Sequence, residues 1–211
     1  MNLKSTLLAT CLLFASVTVA TAAPIYNPVG PQTNVALATV TGGGWTQCYA
    51  ATMSVYIGDS GENVLNACVG DLLMMAGRLT GSDTFLVLAE ALRADTIFET
   101  GNTSVTHLAN GSEWWYSDFW SWGFTAAGDT VSNFECDTSN SPTSMCLHTV
   151  NNAGGYRINN ITGLNGSVAY EKVFFVASNA AAVPEPATLF LLGSGMAAVA
   201  ARVKRRRKTN L

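Results

Sequence analysis

The sequence predicts a mainly β fold. It reads as a β-sandwich or jelly-roll-like ectodomain set between an N-terminal signal peptide and a single C-terminal transmembrane helix. Three observations carry that expectation. Residues 42–178 are rich in Gly, Ser, Thr and Asn, and turn-forming clusters separate short apolar or alternating runs. Two longer apolar segments, near residues 7–19 and 187–201, bracket this polar body. Four cysteines lie between them, Cys48, Cys68, Cys136 and Cys146, as in an exported domain closed by disulfides.

Met1–Ala22 has the parts of a secretory signal. Lys4 supplies the positive end, Leu7 to Val19 is apolar, and Ala20-Thr21-Ala22 is a small-x-small cleavage site. Cys11 lies in the middle of the apolar run, where a lipoprotein signal would not place it. Residues 23–41 are a lead-in containing Pro24, Pro28 and Pro31, with an alternating Val35 to Val40 run expected as a first strand. Gly42-Gly43-Gly44 opens the ectodomain proper as a loop, and Trp45 to Ile57 alternates loosely into one or two strands.

Gly58-Asp59-Ser60-Gly61 is a turn, and Glu62 to Ala67 makes a helical turn leading to Cys68. Asp71–Leu79 and Thr84–Leu92 flank the turn formers Thr80-Gly81-Ser82-Asp83, which predicts a buried hairpin; good helix formers in both arms keep a helical alternative open. Asp95–Glu99 and Ser104–Leu108 are expected as strands around Gly101-Asn102, and Lys172–Ala177 as the last one. Among the three connectivities open to four cysteines, proximity in sequence favours Cys48–Cys68 and Cys136–Cys146.

Residues 179–186 form a small-residue linker ending in Pro184-Glu185-Pro186, residues 187–201 an uncharged apolar run, and residues 202–211 a tail with six basic residues in seven at 202–208. The apolar run is short against the roughly 20 residues that span a bilayer, and flanking Arg side chains extend its reach. Positive charge places the tail on the cytoplasmic side. This order resembles the PEP-CTERM sorting signal of exported bacterial proteins, over about residues 183–208. The resemblance implies an exosortase-type processing protease that reads Pro184, Glu185 and Pro186. It also implies transient anchoring in the inner membrane, then a cell-surface or extracellular destination, in bacteria that make exopolysaccharide and biofilm.

With these ends assigned, residues 23–183 hold 13 acidic and 4 basic side chains, a net charge of −9 against −3 for the whole chain. Such a body is soluble and self-repelling, and its sign excludes charge-driven binding of nucleic acid.

The most unusual stretch is residues 113–124, which contains four of the five tryptophans. Parity along a strand places Trp114, Tyr116, Trp120, Trp122 and Phe124 on one face. Such a row is a candidate glycan platform, since rings stack on sugars. Burial as a core hairpin with its turn at Ser117-Asp118 is the favoured alternative, because Trp and Tyr dominate cores on area alone.

Gly58-Asp59-Ser60-Gly61 is similar to the nucleophile motif of chymotrypsin-type proteases. That family places its His and Asp before the Ser, whereas His107 and His148 both follow Ser60, so the turn is favoured. No catalytic residue is assigned, and the two histidines are read as structural. No zinc spacing is present. No cofactor is expected; Ca2+ is the one candidate, at Asp59 with Glu62 or at Asp129 with Glu135 and Asp137, and solvated turns are favoured at both because neither fits a calcium-loop spacing. Asn102, Asn110, Asn160 and Asn165 sit in Asn-x-Ser/Thr sequences. The expectation is a non-enzymatic structural or exopolysaccharide-associated domain; the alternative is a secreted glycan hydrolase with an unrecognised carboxylate pair.

Overall fold

Strands of the sandwich bury both faces of one sheet, and this explains the long apolar runs. The structure, a computed structural model, describes residues 26–132, 136–138, 142–150 and 153–179. The signal peptide, Pro184, Glu185, Pro186, the 187–201 run and the basic tail lie outside the described residues.

The first sheet has the order β1 (Val35–Ala36), β4 (Thr84–Leu92), β3 (Leu72–Leu79), β12 (Tyr170–Ala177), β2 (Thr46–Thr52). The second has β11 (Arg157–Ile158), β10 (Met145–His148), β7 (Ser121–Ala126), β6 (Ser112–Tyr116), β5 (His107–Ala109). All pairings within the two sheets are antiparallel. A small ribbon joins β8 (Val131–Ser132) to β9 (Asp137–Thr138).

The sheets face each other through one core. Leu73, Met75, Val87, Ala89 and Phe174 from the first meet Trp114, Tyr116, Trp122, Phe124, Met145, Leu147 and Ile158 from the second. Trp122 and Phe174 bring their ring centroids to 5.2 Å across the gap. Gly77 lets the sheets close on each other, because a Cβ there would meet the Ile158 side chain at 2.8 Å. Even-numbered β3 residues point the other way: Leu72, Met74 and Ala76 join Phe85, Leu88, Val173 and Phe175 on the outer face. Tyr26, Val35, Leu37, Val40 and Trp45 cover that face. A strand buried on both sides reads as an unbroken apolar run, as Leu72-Leu73-Met74-Met75-Ala76 does.

Three expectations change here. The lead-in is part of the fold, since its residues cover the first sheet. Only Val35–Ala36 of the expected first strand pairs with β4; the chain then winds into α1 (Leu37–Gly42), which takes in the first glycine of the expected Gly42–Gly44 loop and turns Val40 into the outer core. The segment expected as a strand from Asp95 begins instead in α3 (Arg93–Thr96). Tertiary contacts outweigh local propensity there: Arg93 Nε donates to the Cys68 carbonyl at 3.1 Å, and the Thr96 carbonyl accepts from Trp122 Nε1 at 2.8 Å. The hairpin of β3 and β4 forms as expected, and so does the helical turn α2 (Glu62–Ala67). The hairpin's turn is pinned by Arg78, whose Nε meets Glu171 Oε1 at 2.5 Å and whose Nη1 donates to the Ser82 carbonyl at 2.6 Å.

Both expected disulfides are present. Cys48–Cys68 ties β2 to the end of α2, and Cys136–Cys146 ties the ribbon side to β10. The first closes a loop of 20 residues. In the chain-entropy account, a cross-link over such a loop stabilises by about 3 kcal/mol. Replacing Cys48 and Cys68 together by alanine is therefore expected to lower the urea midpoint by that equivalent. An unchanged midpoint would show that the bond does not constrain the unfolded chain.

Candidate functional site

The β6–β7 hairpin decides where the aromatic residues go. Its register sets Trp114 opposite Phe124 and Tyr116 opposite Trp122. All four face the second sheet's inner side, and Trp114, Trp122 and Phe124 are 1 %, 0 % and 0 % exposed. Trp115 points to the outer side, where it packs with Val131, Cys136 and Cys146; its Nε1 donates to Ser121 Oγ at 3.1 Å. The row is therefore core, and a platform of Trp114, Tyr116, Trp120 and Trp122 together is not formed. The physical reason is pairing: strand parity puts these rings on the face that opposes Phe174, and large rings stabilise most where they leave water completely.

What remains outside is the hairpin tip. Phe119 is 63 % exposed and Trp120 is partly exposed, their centroids 5.7 Å apart in an edge-to-face arrangement. The tip is held from several sides. Ser117 N donates to the Ser121 carbonyl at 2.8 Å, Thr149 Oγ1 to the Ser117 carbonyl at 2.8 Å, and Thr149 N to the Trp120 carbonyl at 3.0 Å. Ser60 Oγ donates to the Asp118 carbonyl at 2.9 Å, and Asp118 N donates to Glu99 Oε2 at 3.0 Å. Below, Tyr116 donates its hydroxyl to the Ser60 carbonyl at 2.8 Å; burial first, then Glu99 and Asp118, push its ionisation up to about 12.

This network gives the Gly58–Gly61 turn its role. Ser60 sits at φ +57° between Gly58 at +89° and Gly61 at +69°, which aims its hydroxyl at the tip. Asp59 accepts from the Tyr56 hydroxyl. Neither histidine completes a nucleophile: His107 Nε2 lies 2.9 Å from Asp95 Oδ1 and stacks on Phe98, while His148 meets Tyr156 edge-on. Burial holds the His148 imidazole below its ordinary value, so it is neutral at pH 7. Asp129 accepts from Thr125 Oγ1 at 2.6 Å, and Glu135, its partner in the calcium expectation, lies outside the described residues. Among the described residues, no three His, Cys, Asp or Glu side chains gather to hold a metal ion. Among them too, no helix is long and apolar enough to cross a membrane.

Buried charges escaped the sequence reading, Lys172 and Glu90 among them. Lys172 is 0 % exposed, and its Nζ donates to the carbonyls of Val55 at 2.5 Å, Gly154 at 2.8 Å and Met53 at 3.5 Å. Burial pulls its ionisation down to about 7. The signal that would have found it is parity, since Lys172 shares the inward face of Phe174. Glu90, 2 % exposed, lies on the outer face of the first sheet, and burial raises its carboxyl to about 7.

Fold and tip define a disulfide-bonded β-sandwich that presents two rings on a hairpin whose backbone is hydrogen-bonded from several sides. Residues 182–207 match the PEP-CTERM protein-sorting motif. That motif implies an exported chain sorted through its C-terminal segment by an exosortase. The chain matches no curated protein and no solved structure.

Proposed function

We propose that the sandwich is a non-enzymatic domain of the cell surface or extracellular matrix, associated with exopolysaccharide through the tip of the β6–β7 hairpin. In this reading an exosortase-type protease cuts near Pro184, Glu185 and Pro186 while the 187–201 run holds the chain in the inner membrane. The domain then leaves for the surface. The observation that carries the binding role is Phe119 and Trp120 held outside the core on a backbone already hydrogen-bonded at Ser117, Asp118 and Trp120. Rings fixed in advance lose little entropy on contact, and a ring face suits the apolar side of a sugar. Asp118 and Glu99 beside them are acceptors for sugar hydroxyls. Their charge, with that of the whole body, disfavours a uronate-rich polymer and suits a neutral one.

Affinity electrophoresis in gels containing the producing cell's own polysaccharide tests this. Phe119→Ala with Trp120→Ala is expected to weaken retention about thirtyfold, from the loss of two stacking contacts of about 1 kcal/mol each. Retention equal to that of the wild type would reject the tip as the contact surface. For sorting, Glu185→Ala is expected to leave the protein in the membrane fraction, and normal release would reject that role for the motif.

A further inference from the structure

The outer face of the first sheet is covered by the N-terminal segment, and the cover is fastened over a buried acid. Gln32 exchanges backbone hydrogen bonds with Leu88 at 2.8 and 2.9 Å. Gly30 N donates to the Asn110 carbonyl at 2.7 Å. Asn110 stands in the Asn110-Gly111 turn between β5 and β6, at φ +42°. Its Nδ2 donates to the Pro28 carbonyl at 2.9 Å, the Glu90 carbonyl at 3.1 Å and Glu90 Oε1 at 2.6 Å. One side-chain amide thus clamps the cover, the edge of the first sheet and the acid together. Gly111 permits the approach, since a Cβ there would meet Gly30 N at 2.9 Å.

Among the described residues, no cation pairs with the acid. The groups that act on Glu90 are Asn110 from the turn and Tyr26 from the cover, whose hydroxyl is itself pushed upward by burial and by Glu90. Across the sheet Glu90 stands opposite Met74, an apolar neighbour. Arg78, Arg93 and Lys172 are committed to other partners: Arg78 to Glu171, Arg93 to the carbonyls of Cys68 and Leu65, Lys172 to its three carbonyls. A carboxylate left in this position would have one amide donor and no countercharge, which is costly.

We propose that residues 26–36 form a pH-gated strap, clamped over the first sheet while the Glu90 carboxyl is protonated and released as that carboxyl ionises. The strap is a suitable moving part because few bonds hold it: the short β1–β4 pairing, the Gln32–Leu88 exchange, the Asn110 clamp and, at its start, Tyr26, whose carbonyl accepts from Trp45 Nε1 at 2.6 Å. Opening hydrates Glu90 and withdraws Tyr26 and Val35 from the apolar face, while Leu37, Val40 and Trp45 stay on it.

The sign follows from the ionisation. Buried, the carboxyl titrates at about 7; hydrated, it returns to 4.5. The closed state binds the extra proton, so closure is fully favoured below pH 4.5 and is lost as pH rises through about 7. Between pH 5 and pH 8 the opening constant should rise on the order of fiftyfold.

Hydrogen exchange on the purified, released protein reads this directly, with rates normalised to intrinsic exchange and peptides covering 28–36 and 86–92. The wild type is expected to lose protection there as pH rises, while the β6–β7 hairpin stays protected. Glu90→Gln is expected to keep the low-pH protection at every pH. Strap protection that is constant with pH in the wild type, or an equal loss in Glu90→Gln, would overturn the proposal. Should Glu90→Gln fail to fold, NMR titration of the Glu90 carboxyl in the wild type decides instead: a midpoint near 7 that coincides with strap opening supports it, and an ordinary carboxylate midpoint overturns it.

Discussion

Trp122→Ala is expected to lower the stability of the domain by about 4 kcal/mol, the range measured for truncating a buried aromatic side chain. The ring is 0 % exposed and sits where the two sheets meet. It packs edge-on against Tyr116 at 5.7 Å and tilted against Phe174 at 5.2 Å, and it lies over Gly61. Removal leaves a cavity on the sheet-to-sheet axis. It also orphans the Thr96 carbonyl, which accepts from Trp122 Nε1 and helps α3 form where a strand is expected. For a domain of this size, calorimetry should record a fall in Tm of about 10 °C. Phe119→Ala, on the same hairpin but outside the core, should leave Tm within about 2 °C. Equal shifts for the two variants would mean that the hairpin does not sort its rings between core and tip.

That division was only half legible in the sequence. Strand parity grouped Trp114, Tyr116, Trp122 and Phe124 as the structure does, because alternation is a property of the backbone alone, but it also counted Trp120, which the turn between the strands leaves at the tip. Parity cannot say whether the face so formed meets water or another sheet; that depends on Phe174, fifty residues further along the chain. The hairpin of β3 and β4 was readable for a local reason, since turn formers at Thr80–Asp83 separate two apolar arms. Neighbouring cysteines were readable for the same reason. The order of strands was not: β12 is last in sequence, yet it lies between β3 and β2, and only pairing over long separations puts it there. The same blindness hid Glu90. In Leu88-Ala89-Glu90-Ala91-Leu92 an acid at an even position suggests a wet face, and nothing local announces that residues 26–36 will cover it. The sorting motif was legible in full, because it is a short linear pattern that carries its meaning without a fold.

Lys172 offers the sharper energetic test, because its effect depends on pH in a calculable direction. Its Nζ donates to a convergent set of three carbonyls, those of Met53, Val55 and Gly154. Gly154 is there by necessity, since any Cβ would run into the Met53 carbonyl. In the unfolded chain the amine titrates at 10.5, in the fold at about 7. The unfolded state therefore binds the extra proton between those values, so this group makes the domain more stable as pH rises from 7 to 10.5 and contributes no slope below 7. Lys172→Met removes two terms of opposite sign. It strands the carbonyls that the amine serves, two at most once the amine is neutral with two N–H groups, at a cost of about 1–2 kcal/mol each, and it relieves the penalty of desolvating an ammonium. At pH 10 the penalty is almost absent in the wild type, so the variant should be less stable by about 3 kcal/mol. Toward pH 7 the penalty grows in the wild type and the gap should close. Urea unfolding of both proteins at pH 7, 8.5 and 10 measures it. A gap that narrows with rising pH would show that the three carbonyls hold the ammonium more strongly than burial opposes it, and that Lys172 is a charged clamp rather than a buried neutral amine.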